Sequence, residues 1–229
     1  VTLDSPPALE HGRRGRRPGL ADPLAMEPEP SPAGPPVYIS YAWGDDTAEG
    51  KRREGLVDRL YASLKAGEFN VRRDKADMGY KDLISRFMRE LGAAPCVVAV
   101  ISDRYLRSEY CMYELQLVWR NPQFRQRLCP IVLPDAKINK FASLSEYVEH
   151  WQTELDDAEK AWSRIKLANT APDGLHKRID RIRRVAQKVD EVLNYLADMN
   201  TLTPQKLEEN DFAVVKEAIK KRLRGEQAV

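Results

Sequence analysis

Tyr110 and Glu114 stand four residues apart in the segment Val100–Leu115. That segment leaves an apolar run, crosses a polar stretch and enters a helix that Ser108 is placed to cap. At helical spacing the two side chains share a face. They fall in the first two turns, close to where the apolar run ends. An aromatic ring can stack on a base or a ribose. A carboxylate can accept hydrogen bonds from ribose hydroxyls and stabilise positive charge developing at an anomeric carbon. The pair therefore suits chemistry on a sugar. The same spacing also fits an ordinary helix, in which a first-turn Glu complements the helix dipole and a Tyr is partly core.

Other chemistries find little support. The histidines, His11, His150 and His176, lie far apart, and no two of Cys96, Cys111 and Cys129 have metal-ligand spacing. No metal site is expected. There is no Ser-His-Asp set and no Gly-rich phosphate loop of the Walker or dinucleotide-fold type. The 37 basic and 35 acidic residues leave a net charge of +2, which gives no general field for nucleic acid. No nucleic-acid partner is expected. No apolar run approaches the ~20 residues that span a bilayer, and the N-terminal arginines have no apolar stretch behind them, so neither a membrane partner nor a secretory signal is expected. The three cysteines flank apolar residues and read as buried reduced thiols, pointing to a cytoplasmic protein.

The elements that must position Glu114 follow from periodicity. Residues 1–36 hold nine of the fifteen prolines and the cluster Arg13-Arg14-Gly15-Arg16-Arg17. So little apolar surface cannot offset the entropy of ordering, and the segment is expected to be a disordered tail. Its arginines read as a solvated charge run or as an electrostatic contact. Val37-Tyr38-Ile39-Ser40-Tyr41 is a short strand. Leu56, Leu60 and Leu64 mark a helix. Phe69–Arg72 is a second strand, and Leu83, Ile84, Phe87, Met88 and Leu91 mark an amphipathic helix. Cys96–Ile101 is a continuous apolar run of the kind covered on both faces. A helix capped by Ser108 stops at Asn121-Pro122, and Ile131-Val132-Leu133 is a fourth strand. Alternating strands and helices imply a parallel sheet wrapped by helices. Such sheets bind ligands outside the carboxyl ends of the strands, at the topological switch point.

The pattern changes near residue 140. Ser143 and Glu146 form a capping box. Leu144, Val148, Trp151, Leu155, Ala158, Trp162 and Ile165 then recur at steps of four and three. A second series runs through Leu175, Ile179, Ile182, Ala186, Val189, Leu193 and Leu196, after the turn signal Asn169–Gly174. Two long helices joined by a short turn predict an antiparallel hairpin. A last helix is expected over Asp211–Leu223, with no convincing strand before it. The expected division is a tail over 1–36, an α/β core over 37–140, and a helical hairpin with a final helix over 141–229.

Three blocks of the core resemble Toll/interleukin-1 receptor (TIR) domains. Val37–Tyr41 is similar to their first strand, an apolar run ending in Ser-Tyr or Ser-His. Arg73-Asp74-Lys75-Ala76-Asp77-Met78-Gly79-Tyr80 resembles the loop after their second strand, the BB loop. Ile101–Leu115 is similar to their third strand and the helix behind it, where a Ser, a Tyr and an aromatic-Cys-x-x-Glu-Leu string recur. The blocks stand in order over about residues 37–135, and the run from Ile131 through the hairpin looks like a subset of bacterial TIR proteins.

The resemblance implies a flavodoxin-like α/β fold, with a parallel sheet of four or five strands and a C-terminal antiparallel helical hairpin. It also implies a choice. Some TIR domains are adaptors that only self-associate, whereas others hydrolyse or cyclise NAD with a Glu four residues after an aromatic. By match, Glu114 takes the catalytic place and Tyr110 that of the aromatic, often Trp. Adaptor-type domains commonly lack the carboxylate, so its presence favours an NAD+ nucleosidase with NAD+ as substrate, no added cofactor and homotypic TIR–TIR assembly. The loop carrying Ser40, Tyr41 and Trp43 is expected to line the nicotinamide side, and Trp43 is expected to be too exposed for core. Asp74, Lys75 and Gly79 are expected to gate the pocket and meet the next subunit, although a plain polar loop would read the same. Lys75 or Arg104 is the candidate for the pyrophosphate. The alternative is a non-catalytic TIR interaction module. A receiver domain is disfavoured, because the chain lacks that class's acidic cluster, phosphoacceptor Asp and late Lys in recognisable order.

Overall fold

The side chains of the first strand divide by parity, and the division sets the whole architecture. In β1 (Val37–Tyr41), Val37, Ile39 and Tyr41 pack into one apolar cluster, whereas Tyr38 and the following Ala42 pack into another. In β3 (Cys96–Ile101), Cys96, Val98 and Val100 join the first cluster and Val97, Ala99 and Ile101 the second. Successive side chains of a strand point to opposite faces, so the two clusters are the two sides of one sheet. Every residue of both strands is buried, which explains the unbroken apolar run of β3. The computed structural model describes residues 34–74, 83–167 and 172–225. The expected tail, apart from 34–36, and the expected turn at 169–171 lie outside the described residues.

Four strands form the sheet. β2 (Val71–Arg73) and β3 flank β1, and β4 (Leu128–Val132) lies beyond β3, giving the order β2-β1-β3-β4, all parallel. Register places Val37 opposite both Val71 and Cys96, and Val98 opposite Cys129. Cys96 and Cys129 meet diagonally on one face with their sulfurs 3.9 Å apart as free thiols. β4 carries Pro130, which suits an edge strand because proline has no ladder donor. No fifth strand occurs among the described residues.

Helices cover both faces. Over the odd-numbered face of β1 lies α1 (Ala48–Ala66), burying Leu56, Val57, Leu60 and Leu64. Thr47 caps it by accepting from the Gly50 amide at 3.0 Å. The even face receives α2 (Ile84–Ala93), through Phe87 and Leu91. It also receives α3 (Asp103–Arg107) and α4 (Glu109–Trp119), through Tyr105, Leu106, Met112, Leu115 and Val118. The short α5 (Phe124–Arg127) leads into β4, and a 3-10 turn, Pro134–Ala136, follows it.

The later helices return to both faces. α6 (Phe141–Leu167) and α7 (Asp173–Ala186) pack together and onto α3 and α4. Trp162 meets His176 while Glu159 pairs with Arg183 at 3.0 Å, so contacts ascend one helix as they descend the other: the pair is antiparallel. The apolar series expected to be one helix over 175–196 is broken. α7 ends at Ala186, Lys188 leaves helical geometry, and α8 (Val189–Asp198) restarts. The turn lets Val189, Val192, Leu193 and Leu196 all reach the core. The capping box at Ser143 is not formed either. The Leu144 amide already bonds the Lys140 carbonyl, so the helix opens earlier and Ser143 lies within it. α9 (Pro204–Glu209) and α10 (Ala213–Leu223) return to the α1 side, where Leu207, Phe212, Val215 and Ile219 are buried. The expected final helix thus begins at Ala213, because Asp211 and Phe212 take left-handed backbone conformations.

Candidate active site

After β1 the chain passes through α1 to β2 on one side, then crosses to β3 on the other. The loops leaving β1 and β3 therefore diverge, and the carboxyl ends of these strands form the switch-point crevice where ligands bind in such sheets. Ser40, near the end of β1, has the parity of the α4 face. Its hydroxyl reaches Glu114, donating to Oε2 at 2.7 Å. The Tyr105 hydroxyl lies 2.9 Å from the Ser40 Oγ on its other side. Oε1 of Glu114 makes no hydrogen bond among the described residues.

Two serines place these groups. Ser102 follows β3 and caps α3 by accepting from the Tyr105 amide at 3.0 Å. Ser108 ends α3 and caps α4, accepting from the Cys111 amide at 3.4 Å. The kink between the short helices leaves Tyr105 under the sheet rim and brings Glu114 round to face Ser40. α6 holds α3 from outside: the Trp151 indole donates to the Leu106 carbonyl at 2.8 Å, and the Tyr147 hydroxyl reaches Asp103 at 2.8 Å and the Ala136 carbonyl at 2.7 Å.

Glu114 is only 7% exposed. Burial pushes its carboxyl up to about 8, and the negative charge of Asp74 adds to the rise, while the Ser40 hydrogen bond works against it. The buried acid therefore holds its proton at neutral pH. A cation brought alongside would favour the anion. Cys111, one turn before Glu114, sends its thiol to the Tyr41 carbonyl at 3.7 Å, and burial raises its pKa too.

The loop after β1 is tightly tied. Arg53 of α1, itself buried, donates to the carbonyls of Ala42 at 2.9 Å and Trp43 at 3.2 Å. Glu54 accepts from the Gly44 amide at 2.8 Å. Asp45 accepts from Thr47 and from Arg104 of α3. The loop thus presents Trp43, 53% exposed, with its indole N–H donating to Asp74 at the end of β2.

The structure brings Ser40, Trp43, Asp74 and Glu114 to one rim. Tyr41 is different: its ring has the opposite parity and is buried on the α1 side. Its hydroxyl makes no hydrogen bond among the described residues, and burial, with Asp74 and Glu54 nearby, raises its pKa. Only its carbonyl turns toward Glu114's helix. Tyr110 lies one turn before Glu114 and is 47% exposed, with the Arg181 guanidinium 5.6 Å from its ring. Beside it Glu109 is clamped by Arg178 at 2.7 Å and Arg181 at 3.0 Å. Arg104 is engaged with Asp45. Lys75 and Gly79 lie outside the described residues. Sequence reasoning missed Tyr105 and Arg53. A signal for the first was present in Ser102-x-x-Tyr105, a cap three residues before a large aromatic. Arg53 had none, since a basic residue in a helix ordinarily faces solvent.

A separate cleft of about 640 Å³ lies between α1, the Pro134–Ala136 turn and α9. It does not include Glu114, and its Arg59 and Glu208 neutralise each other. No group of residues suited to hold a metal ion is present among the described residues, and no helix there is long and apolar enough to cross a membrane.

Comparison with known proteins places these features. The family model for the TIR domain matches residues 37–165, more than half of the chain and all the elements that carry Ser40, Asp74 and Glu114. A search of curated proteins gave no match. Among solved structures, the chain is similar to the TIR domains in the structure of the activated Roq1 resistosome directly recognizing the pathogen effector XopQ. The identity is 17% and the TM-score 0.49, covering 82% of this chain and 98% of that one.

Proposed function

This chain belongs to the TIR domain family, and we propose that it is an NAD+ nucleosidase of the bacterial type, cleaving the bond between nicotinamide and ribose. The observation that carries the proposal is the placement of Glu114. It sits at the switch-point crevice, held through one oxygen by Ser40, with the other oxygen unengaged by the described residues.

The chemistry needs little more. The pyridinium nitrogen of NAD is already cationic, so nicotinamide leaves with the bonding electron pair as a neutral molecule and needs no general acid. Positive charge then develops at C1′ of the ribose. A carboxylate held beside that carbon stabilises it most where water is excluded. The buried carboxyl meets this demand by ionising in response. Its proton is held while the group stays buried, and the cationic substrate shifts the balance toward the anion. Water then adds to C1′ and releases a proton, giving ADP-ribose; attack by the molecule's own adenine instead gives a cyclic isomer. Trp43 supplies an exposed aromatic face beside the crevice, and Asp74 holds its indole. Ser40 orients Glu114, and the backbone of Tyr41 forms the wall. Tyr110 keeps the stacking role that the family resemblance implies. Lys75 and Gly79 retain the roles the family resemblance implies for the BB loop. The enzyme works in the cytoplasm and is activated by homotypic self-association, as a signalling device; NAD+ is substrate, and no further cofactor, nucleic acid or membrane takes part.

The test is direct. Purified protein is incubated with NAD over a range of protein concentrations and nicotinamide release is followed, with Glu114→Ala and Glu114→Gln in parallel. Release by the wild type, rising per mole with concentration and reduced on the order of 10²–10³-fold in both variants, supports the proposal. A wild type that releases nothing even when concentrated leaves a non-catalytic TIR interaction module as the function.

A further inference from the structure

We propose that Tyr105 is a positioning residue for Glu114, acting through Ser40 by fixing the direction of a buried hydrogen-bond chain. The inference rests on the catalytic reading of Glu114 for its functional meaning, but its physical content does not.

Tyr105 is fully buried, and its hydroxyl has one hydrogen-bond partner among the described residues, the Ser40 Oγ at 2.9 Å. A buried O–H left without an acceptor is costly, so the phenol proton must point at Ser40. A serine hydroxyl carries a single proton. With one lone pair of Ser40 already filled by Tyr105, that proton is directed to its other neighbour, Oε2 of Glu114, at 2.7 Å. The order of donation is therefore Tyr105 to Ser40 to Glu114, and Ser40 is held as a donor toward the carboxyl. A donor stabilises the anion, whereas a carboxylic acid needs an acceptor for its own proton. The chain also selects Oε2 as the anchored oxygen, so Oε1 is the one left unengaged by the described residues.

Without the phenol hydroxyl, Ser40 is free to turn and accept from a protonated Glu114. The neutral acid then gains a partner and the carboxyl becomes harder to ionise. The charged and titratable groups around Glu114 do not supply the missing preference. Asp74, at the end of β2, is negative and raises the pKa further, and Cys111 on the same helix is a buried neutral thiol aimed at the Tyr41 carbonyl.

Tyr105→Phe keeps the ring and its packing and removes only the oxygen. The measurement is the carboxyl carbon of Glu114 by carbon NMR, in protein labelled at glutamate, titrated from pH 5 to 10 in wild type, Tyr105→Phe, Ser40→Ala and the double variant. The expected result is an upward move of the Glu114 midpoint in Tyr105→Phe, so that the fraction ionised at neutral pH drops several-fold, with no added effect of Tyr105→Phe in the Ser40→Ala background. The pH profile of kcat/KM for nicotinamide release moves in parallel. An unchanged midpoint, or an equal shift with and without Ser40, overturns the inference. If Tyr105→Phe is too unstable to titrate, an unmoved Glu114 midpoint in Ser40→Ala still overturns it. Should the wild type prove inactive while the NMR midpoints shift as expected, the hydrogen-bond chain stands and the nucleosidase reading falls. An active wild type with coincident titrations gives the reverse.

Discussion

The indole N–H of Trp43 donates to the carboxylate of Asp74, joining the loop after β1 to the end of β2 at the rim where Glu114 lies. The bond gives Asp74 two effects at once. It restrains an exposed aromatic ring, and its charge opposes ionisation of Glu114.

Those effects separate in Asp74→Asn. The amide oxygen can still accept from the indole, but the charge is gone. The acid limb of kcat/KM should move to lower pH, raising activity below pH 7 relative to wild type. Asp74→Ala should show the same shift together with a higher KM, as Trp43 loses its restraint. A limb left unmoved in Asp74→Asn would show that the charge of Asp74 does not reach Glu114.

Activity of the wild type should itself climb with pH. The free protein holds Glu114 protonated up to about 8, and kcat/KM reports the free enzyme. It should rise about tenfold per pH unit below that value and then level. The limb in kcat should fall at lower pH, because bound cationic substrate favours the anion. Initial rates of nicotinamide release from pH 5.5 to 9 check both; a flat kcat/KM across that range would count against Glu114 as the group that must ionise.

Stability should run the other way. Below about 4.5 both folded and unfolded chains keep the Glu114 proton, so the group makes no difference. As pH rises from 4.5 toward 8 the unfolded chain releases it and the folded protein does not, so stability falls across that window and levels above it. The full drop attributable to Glu114 is on the order of 5 kcal/mol. Glu114→Gln does not titrate. Urea unfolding should therefore show the variant gaining on wild type between pH 5 and 8.5, and a constant difference would refute the burial effect.

Gly50 is required by a close approach. A β-carbon there would lie 2.1 Å from the Asp45 side chain and 2.6 Å from the Asp45 amide. Gly50→Ala must therefore push the loop that carries Trp43 away from α1, with an expected cost of about 1–3 kcal/mol. Loss of kcat/KM should exceed loss of folded protein, as judged by circular dichroism on the same samples.

Trp151→Phe removes the donor to the Leu106 carbonyl while filling most of the volume. The buried carbonyl loses its partner, at about 1–3 kcal/mol. Because α3 also carries Tyr105, the variant should shift the Glu114 titration as well as the melting temperature. A change in melting temperature alone would confine Trp151 to a packing role.

Much of this arrangement was legible in the residues. The apolar run Cys96–Ile101 could only be a doubly covered strand, and Ser108 set the start of the helix that carries Glu114. What escaped was decided by parity and by packing. Ser40 and Tyr41 were grouped as neighbours in sequence, yet a strand sends adjacent side chains to opposite faces. Alternation along β1, with Tyr38 and Ala42 matching Ser40, carried that information. The break at Lys188 did not announce itself, because no Gly or Pro marks it and the apolar series runs on. The start of α6 lies before Ser143 because the Ser143/Glu146 spacing only imitates a capping box: the Leu144 amide already bonds the Lys140 carbonyl.

The alternation along Val37–Tyr41 also determines which changes of chain length the site can survive. Lengthening the connection after Tyr41 leaves each address in the strand unaltered. One residue added within the five, ahead of Ile39, would reverse the facing of every side chain beyond it, delivering the sec-butyl group of Ile39 to Glu114 in place of a hydroxymethyl group. Engineered insertions meant to diversify this rim belong in the connections, where odd and even remain where the fold put them.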